Sequence, residues 1–62
     1  MREAILKFIK DFIAKNGYPP TLGEIGKEYG IAKSNVSYHL NALRADGKID
    51  WHSNKARTIV VL

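Results

Sequence analysis

The apolar residues of this chain change their period once, at Gly47, and that change limits what the chain can fold into. Before it, Ile5, Phe8, Ile9, Phe12 and Ile13 recur at spacings of three and four, with Lys7, Lys10, Asp11 and Lys15 filling the gaps. This is one face of an amphipathic helix running from Arg2 to about Lys15. After it, Lys48-Ile49-Asp50-Trp51 and Thr58-Ile59-Val60-Val61-Leu62 alternate as strands do, and the polar, basic stretch His52-Ser53-Asn54-Lys55-Ala56-Arg57 between them suits a turn. Helices followed by one hairpin predict an α+β chain, mostly α.

Two further helices fit between these ends. Asn16-Gly17 stops the first, and Tyr18-Pro19-Pro20 cannot continue it, because each proline lacks a backbone donor and forces its predecessor to be extended. Thr21-Leu22-Gly23-Glu24 has capping-box form, so a short second helix begins there, with Leu22, Ile25 and Tyr29 facing the core and Gly30 closing it. Gly23 and Gly26 each cost that helix about 1 kcal/mol relative to alanine. Such a cost marks close backbone approach, and another helix is expected to cross tightly at Gly26. The third helix is expected from about Ser34, its N-cap, to Asp46, with Val36, Leu40 and Leu43 inward and Gly47 as the stop.

Composition narrows the function. The 62 residues contain no cysteine and two histidines, so neither a disulfide framework nor a structural zinc site is expected, and a hydrophobic core must hold a single domain, residues 1–62. No apolar run reaches membrane-span length, and charges interrupt the apolar residues of the N-terminus, so a cytoplasmic protein is expected. Ser37 and His39 lie two apart on a helix and face different directions, no carboxylate is placed to orient the histidine, and no glycine-rich phosphate loop follows a strand. An enzyme is not expected, nor any cofactor or metal. Of the net charge of +4, residues 1–32 supply five basic and four acidic groups (+1), and residues 33–62 five and two (+3). Positive charge in the second half suits a polyanion partner, although a solvated surface accounts for it nearly as well.

Ile25, small Gly26, Tyr29, Gly30, Ile31 and Val36 follow the spacing of a helix-turn-helix: the small residue admits the crossing helix, glycine turns the chain, and the apolar set locks the angle. His39 falls where an apolar residue is usual. With the hairpin as wing, the chain resembles a three-helix winged helix-turn-helix. "NGYPPTLGEIGKEYGI" and "SYHLNALRADGKI" go further and resemble the DNA-binding domain of LexA-type repressors. The likeness rests on Gly17, Pro19, Pro20, Thr21, Glu24 and Ile25, then His39, Leu40, Leu43 and Gly47, and it extends over nearly the whole chain. It implies a transcriptional regulator of a prokaryote or phage, a repressor, that binds double-stranded DNA. The segment between Gly30 and His39 is about one residue shorter than is usual in that family, so site preference does not carry over. The 62 residues also hold no self-cleaving serine–lysine peptidase domain, which gives such repressors their damage response and much of their dimerisation. As a complete protein the chain is therefore expected to differ from them in function.

Asn35, Ser37 and Tyr38 open helix three, where a winged helix presents side chains to base edges. Lys33 and Ser34 precede it, where amides and a lysine can hold phosphate. Asn41 and Arg44 would reach flanking backbone, and Asn54, Lys55 and Arg57 form a cationic wing tip. The bland alternatives are polarity around an N-cap, a solvated Arg44 and the ordinary polarity of a turn. Trp51 is expected to pack under the first helix, Tyr18 and Tyr29 to pack in core or turn, His39 to be hydrogen-bonded and partly buried, and His52 to belong to the wing. A homodimer on a palindromic site is one arrangement. The competing functions are a winged helix that binds protein, and an architectural protein that binds duplex without sequence preference.

Overall fold

The computed structural model of the chain describes residues 1–52, 55 and 57–62. Three helices, α1 (Arg2–Asn16), α2 (Leu22–Tyr29) and α3 (Lys33–Ala45), are followed by strands β1 (Ile49–Asp50) and β2 (Val60–Val61). The strands pair antiparallel, Ile49 opposite Val61 and Asp50 opposite Val60. This is the winged helix-turn-helix expected from the sequence. α3 is central, packing on α1, α2 and β1. Ile5, Ile9, Ile25, Val36, Leu40, Leu43, Ile49 and Ile59 form one buried core.

Each helix ends on a left-handed glycine. Gly17 and Gly30 follow α1 and α2 directly, at φ 79° and 65°. Gly47, at φ 74°, lies two residues past Ala45, where the Gly47 amide donates to Arg44 O and the Lys48 amide to Leu43 O, both at 3.0 Å. This paired arrangement satisfies the last carbonyls of α3 and turns the chain into β1. At the start of α2 the capping box is complete: the Glu24 amide donates to Thr21 Oγ1 (3.2 Å) and the Thr21 amide to Glu24 Oε1 (2.9 Å).

The tight approach at Gly26 is present. A Cβ there would lie 2.7 Å from the Ile31 carbonyl oxygen and 3.6 Å from Val36 Cγ2, so the turn between α2 and α3 presses on it more closely than α3 does. Two expected boundaries need correction. Ser34 does not cap α3: the Asn35 and Val36 amides both donate to Ala32 O, at 3.0 and 3.1 Å, so the helix begins at Lys33, with Ala32 as an N-cap that offers no side-chain acceptor. The strands are also shorter than their alternating sequence suggests. Beyond Asp50, the Trp51 amide donates to the Asp50 carboxylate (2.8 Å), and Thr58 Oγ1 both accepts from the His52 amide (3.0 Å) and donates to its carbonyl (3.2 Å). Side chains there take over the bonding that a ladder would supply.

Candidate nucleic-acid interface

Val36, Leu40 and Leu43 turn one side of α3 into the core, and the helical repeat therefore leaves Ser34, Tyr38 and Asn41 on the opposite, exposed side. Tyr38 stands 66% exposed. All thirteen residues of α3 lack a carboxylate. On one flank, Lys33, Ser37, Asn41 and Arg44 border a hollow of about 830 Å³, closed by the start of α2 and by Trp51, Lys55 and Arg57 of the wing. Asn35 lies toward the other flank, one turn above His39, which with Arg2 and Asp46 lines a smaller hollow of about 330 Å³.

The four cations around the larger hollow are not equivalent. Arg44 Nε bonds Asp50 Oδ1 at 2.9 Å, and its guanidinium lies 4.4 Å from the centre of the Trp51 ring. Arg57 reaches across to α2: its two terminal nitrogens donate to Glu24 Oε1 (2.9 Å) and Oε2 (3.2 Å), one also donates to Pro19 O (3.2 Å), and the guanidinium lies 4.8 Å from the Tyr18 ring centre. Its backbone sits at φ 55°, a left-handed conformation unusual for a side-chain-bearing residue. The Thr21 amide first, and the Arg57 guanidinium second, hold the Glu24 carboxyl below the ordinary carboxylate range. Among the described residues, Lys33 and Lys55 take part in no ion pair. Lys33 lies along Gly23, where its Cε would be 3.4 Å from an added Cβ.

A family model described as the LexA DNA binding domain matches residues 2–58, which takes in all three helices and the wing up to Thr58. The chain belongs to the LexA DNA-binding-domain family. It is 44% identical over 62 residues to a LexA repressor of Shouchella clausii, covering 98% of this chain and 30% of that protein. It is 36% identical over 61 residues to one of Leptospira biflexa serovar Patoc, and 38% over 60 residues to one of Thermotoga neapolitana, with 98% and 97% of this chain and 30% of each relative covered. The chain thus spans about 30% of the length of these LexA repressors.

Within this LexA-type domain, Lys33, Ser37, Asn41, Arg44, Lys55 and Arg57 come together around one hollow, Ser34 and Tyr38 stand on the exposed ridge beside it, and Asn35 is set apart on the far flank. Asn54 lies outside the described residues. Trp51 is half-buried against the core, on the hollow's side and beneath Arg44. Tyr29 packs in the core's margin and donates its hydroxyl to Ala4 O (2.8 Å), whereas Tyr18 is a turn residue, 46% exposed and edge-on to Phe12. His39 is half-buried as expected, but the expected hydrogen bond is missing at Nδ1, which is enclosed without a partner among the described residues. Sequence reasoning missed Glu24 as the wing's anchor. Its capping-box role was legible, but 33 residues separate it from Arg57, and only the tertiary fold brings the two together.

Proposed function

We propose that this domain binds double-stranded DNA sequence-specifically as a transcriptional repressor, with α3 in the major groove and the wing on phosphate backbone or minor groove. The observation that carries this reading is the exposed side of α3: Ser34, Tyr38 and Asn41 in a helix without a carboxylate, flanked by two lysines that no acid neutralises among the described residues. Major-groove edges ask for hydrogen-bonding side chains, and a phosphate backbone repels carboxylates. Lys33 and Lys55 take phosphate, Ser34, Ser37, Tyr38 and Asn41 meet bases or adjoining backbone, and Asn35 enters from the first turn of the helix. Arg44 and Arg57 are already bonded to carboxylates and contribute from those fixed positions. The domain acts by binding, without catalysis or cofactor, on DNA in the cytoplasm. Two phosphate-seeking lysines per domain give modest affinity, which favours a homodimer on a palindromic site.

Selection from a random duplex library at low salt tests this reading. Enrichment of a motif is the expected result, and paired motifs at fixed spacing would reveal the dimer. Binding without enrichment would replace repression by architectural binding. Absence of binding would refute the DNA reading and leave a protein partner as the target.

A further inference from the structure

The Arg57–Glu24 contact joins three things that the fold could have kept separate. Glu24 Oε1 accepts from the Thr21 amide that starts α2 and from Arg57 of the wing, both at 2.9 Å, while Oε2 takes the second Arg57 nitrogen. Tyr18, itself edge-on to Phe12 of α1, lies against the same guanidinium. The wing is therefore tied to the first helix, the following turn and the cap of the second. A bidentate arginine fixes direction as well as distance. The left-handed backbone at Arg57 persists only where surrounding contacts hold it, and among the described residues its side chain is held by Glu24, Pro19 and Tyr18.

We propose that Arg57 and Glu24 form a latch that sets the wing's position beside α3, so that Arg57 serves duplex recognition by positioning Lys55 rather than by gripping phosphate. The proposal rests on the DNA-binding reading above. It makes Arg57 a positioning residue and gives Glu24, a carboxylate at the edge of a DNA-binding face, a favourable effect on binding.

The substitution Glu24→Gln separates the alternatives, because glutamine keeps the capping box while losing the charged, bidentate partner. If Arg57 gripped phosphate itself, removing the carboxylate would free it and remove a repulsive charge, so affinity for duplex would stay equal or rise. The latch gives the opposite sign. Affinity falls by about twofold to fivefold, the range of an exposed ion pair. Arg57→Lys, which keeps the charge but not the fork, falls similarly. Lys55→Ala costs less in the Glu24→Gln background than in the parent, since the lysine is no longer held in place.

Backbone amide relaxation of His52, Lys55 and Thr58 in the free protein supplies a readout independent of DNA. Order at these amides falls in Glu24→Gln and in Arg57→Lys, with the amides of α2 unchanged. Unchanged wing order in both variants, or unchanged or tighter duplex binding by Glu24→Gln, would overturn the latch. If the parent domain itself bound no duplex, the DNA reading would fall. Loss of wing order in both variants would then still establish the tie between wing and α2, and the claim that it serves recognition would fall with the DNA reading.

Discussion

Gly23 and Gly26 occupy the same short helix, three residues apart, and alanine should act on them with opposite signs. Replacing an interior helical glycine by alanine gains about 1 kcal/mol from the reduced freedom of the unfolded chain and the better helix propensity. At Gly23 the added methyl would meet the flexible end of Lys33 at 3.4 Å and Thr21 Oγ1 at 3.9 Å, both ordinary contacts, so the gain survives and Gly23→Ala stabilises by about 0.5–1 kcal/mol. At Gly26 the methyl would stand 2.7 Å from the Ile31 carbonyl oxygen. That oxygen cannot swing aside as a side chain can, because the Ile31 amide donates to Gly26 O at 3.0 Å and holds the turn against the helix. Overpacking of this kind costs about 1–3 kcal/mol, and displacement of the α2–α3 crossing puts the value near the upper end. After the propensity gain is subtracted, Gly26→Ala should destabilise by about 1–2 kcal/mol. Urea denaturation followed by far-UV circular dichroism reads both variants. With a slope of about 1 kcal/mol per molar for a small domain, the Gly23→Ala midpoint rises by about 0.5–1 M and the Gly26→Ala midpoint falls by about 1–2 M. A Gly26→Ala midpoint at or above the parent's would refute the argument that the turn sets the helix-turn-helix geometry by backbone contact.

Other outcomes follow from single contacts. Ile9 is wholly buried in the core, and Ile9→Ala should cost about 2–5 kcal/mol, enough to leave so small a domain largely unfolded in circular dichroism at room temperature. Tyr29→Phe removes the hydroxyl that donates to Ala4 O and should cost about 0.5–1.5 kcal/mol in urea denaturation. Burial, and after it Glu28 and Asp11, raise the Tyr29 phenol above its ordinary range, so its contribution is full below that range and is lost as pH rises through the raised value; the alkaline loss of stability should shrink in the phenylalanine variant. The sign reverses for Glu24, whose carboxyl is lowered: its contribution is present above the ordinary carboxylate range and disappears as pH falls through the lowered value. The Glu24→Gln variant should therefore lack that acid-side step in a pH series of midpoints.

Local rules made much of this fold legible, because its punctuation is local. Pro19 and Pro20 bar a helix whatever surrounds them, Thr21 and Glu24 cap within four residues, and the apolar spacings already contained the inward sides of α1 and α3. Ser34 shows where such a rule fails. Any hydroxyl near a helix start is a candidate cap, but the Ala32 carbonyl begins the hydrogen bonding two residues earlier, and the chain's path out of the Gly30 turn decides that. The wing strands are shorter than their alternation implies for a related reason: alternation reports which residues face inward, whereas Asp50 and Thr58 use their side chains to take backbone partners out of the ladder.

The sequence presents the candidate site as a set of residue types rather than as a surface. Asn35 and Asn41 carry the same chemistry on the same helix, and nothing in their identities says which stands beside the wing. That follows from the sides of α3 that α1, α2 and β1 cover, and it places Asn41, together with Ser37, on the hollow. Charge is similarly ambiguous in sequence. Lys33, Arg44, Lys55 and Arg57 read as four cations facing a polyanion, but two of them are bonded at 2.9 Å to carboxylates that are distant in sequence or belong to another element. Under the proposed duplex binding, the counterions released are set by how many cations the fold leaves unpaired, and a salt slope predicted from the formal charge of this face would be about twice as steep as the two lysines alone provide.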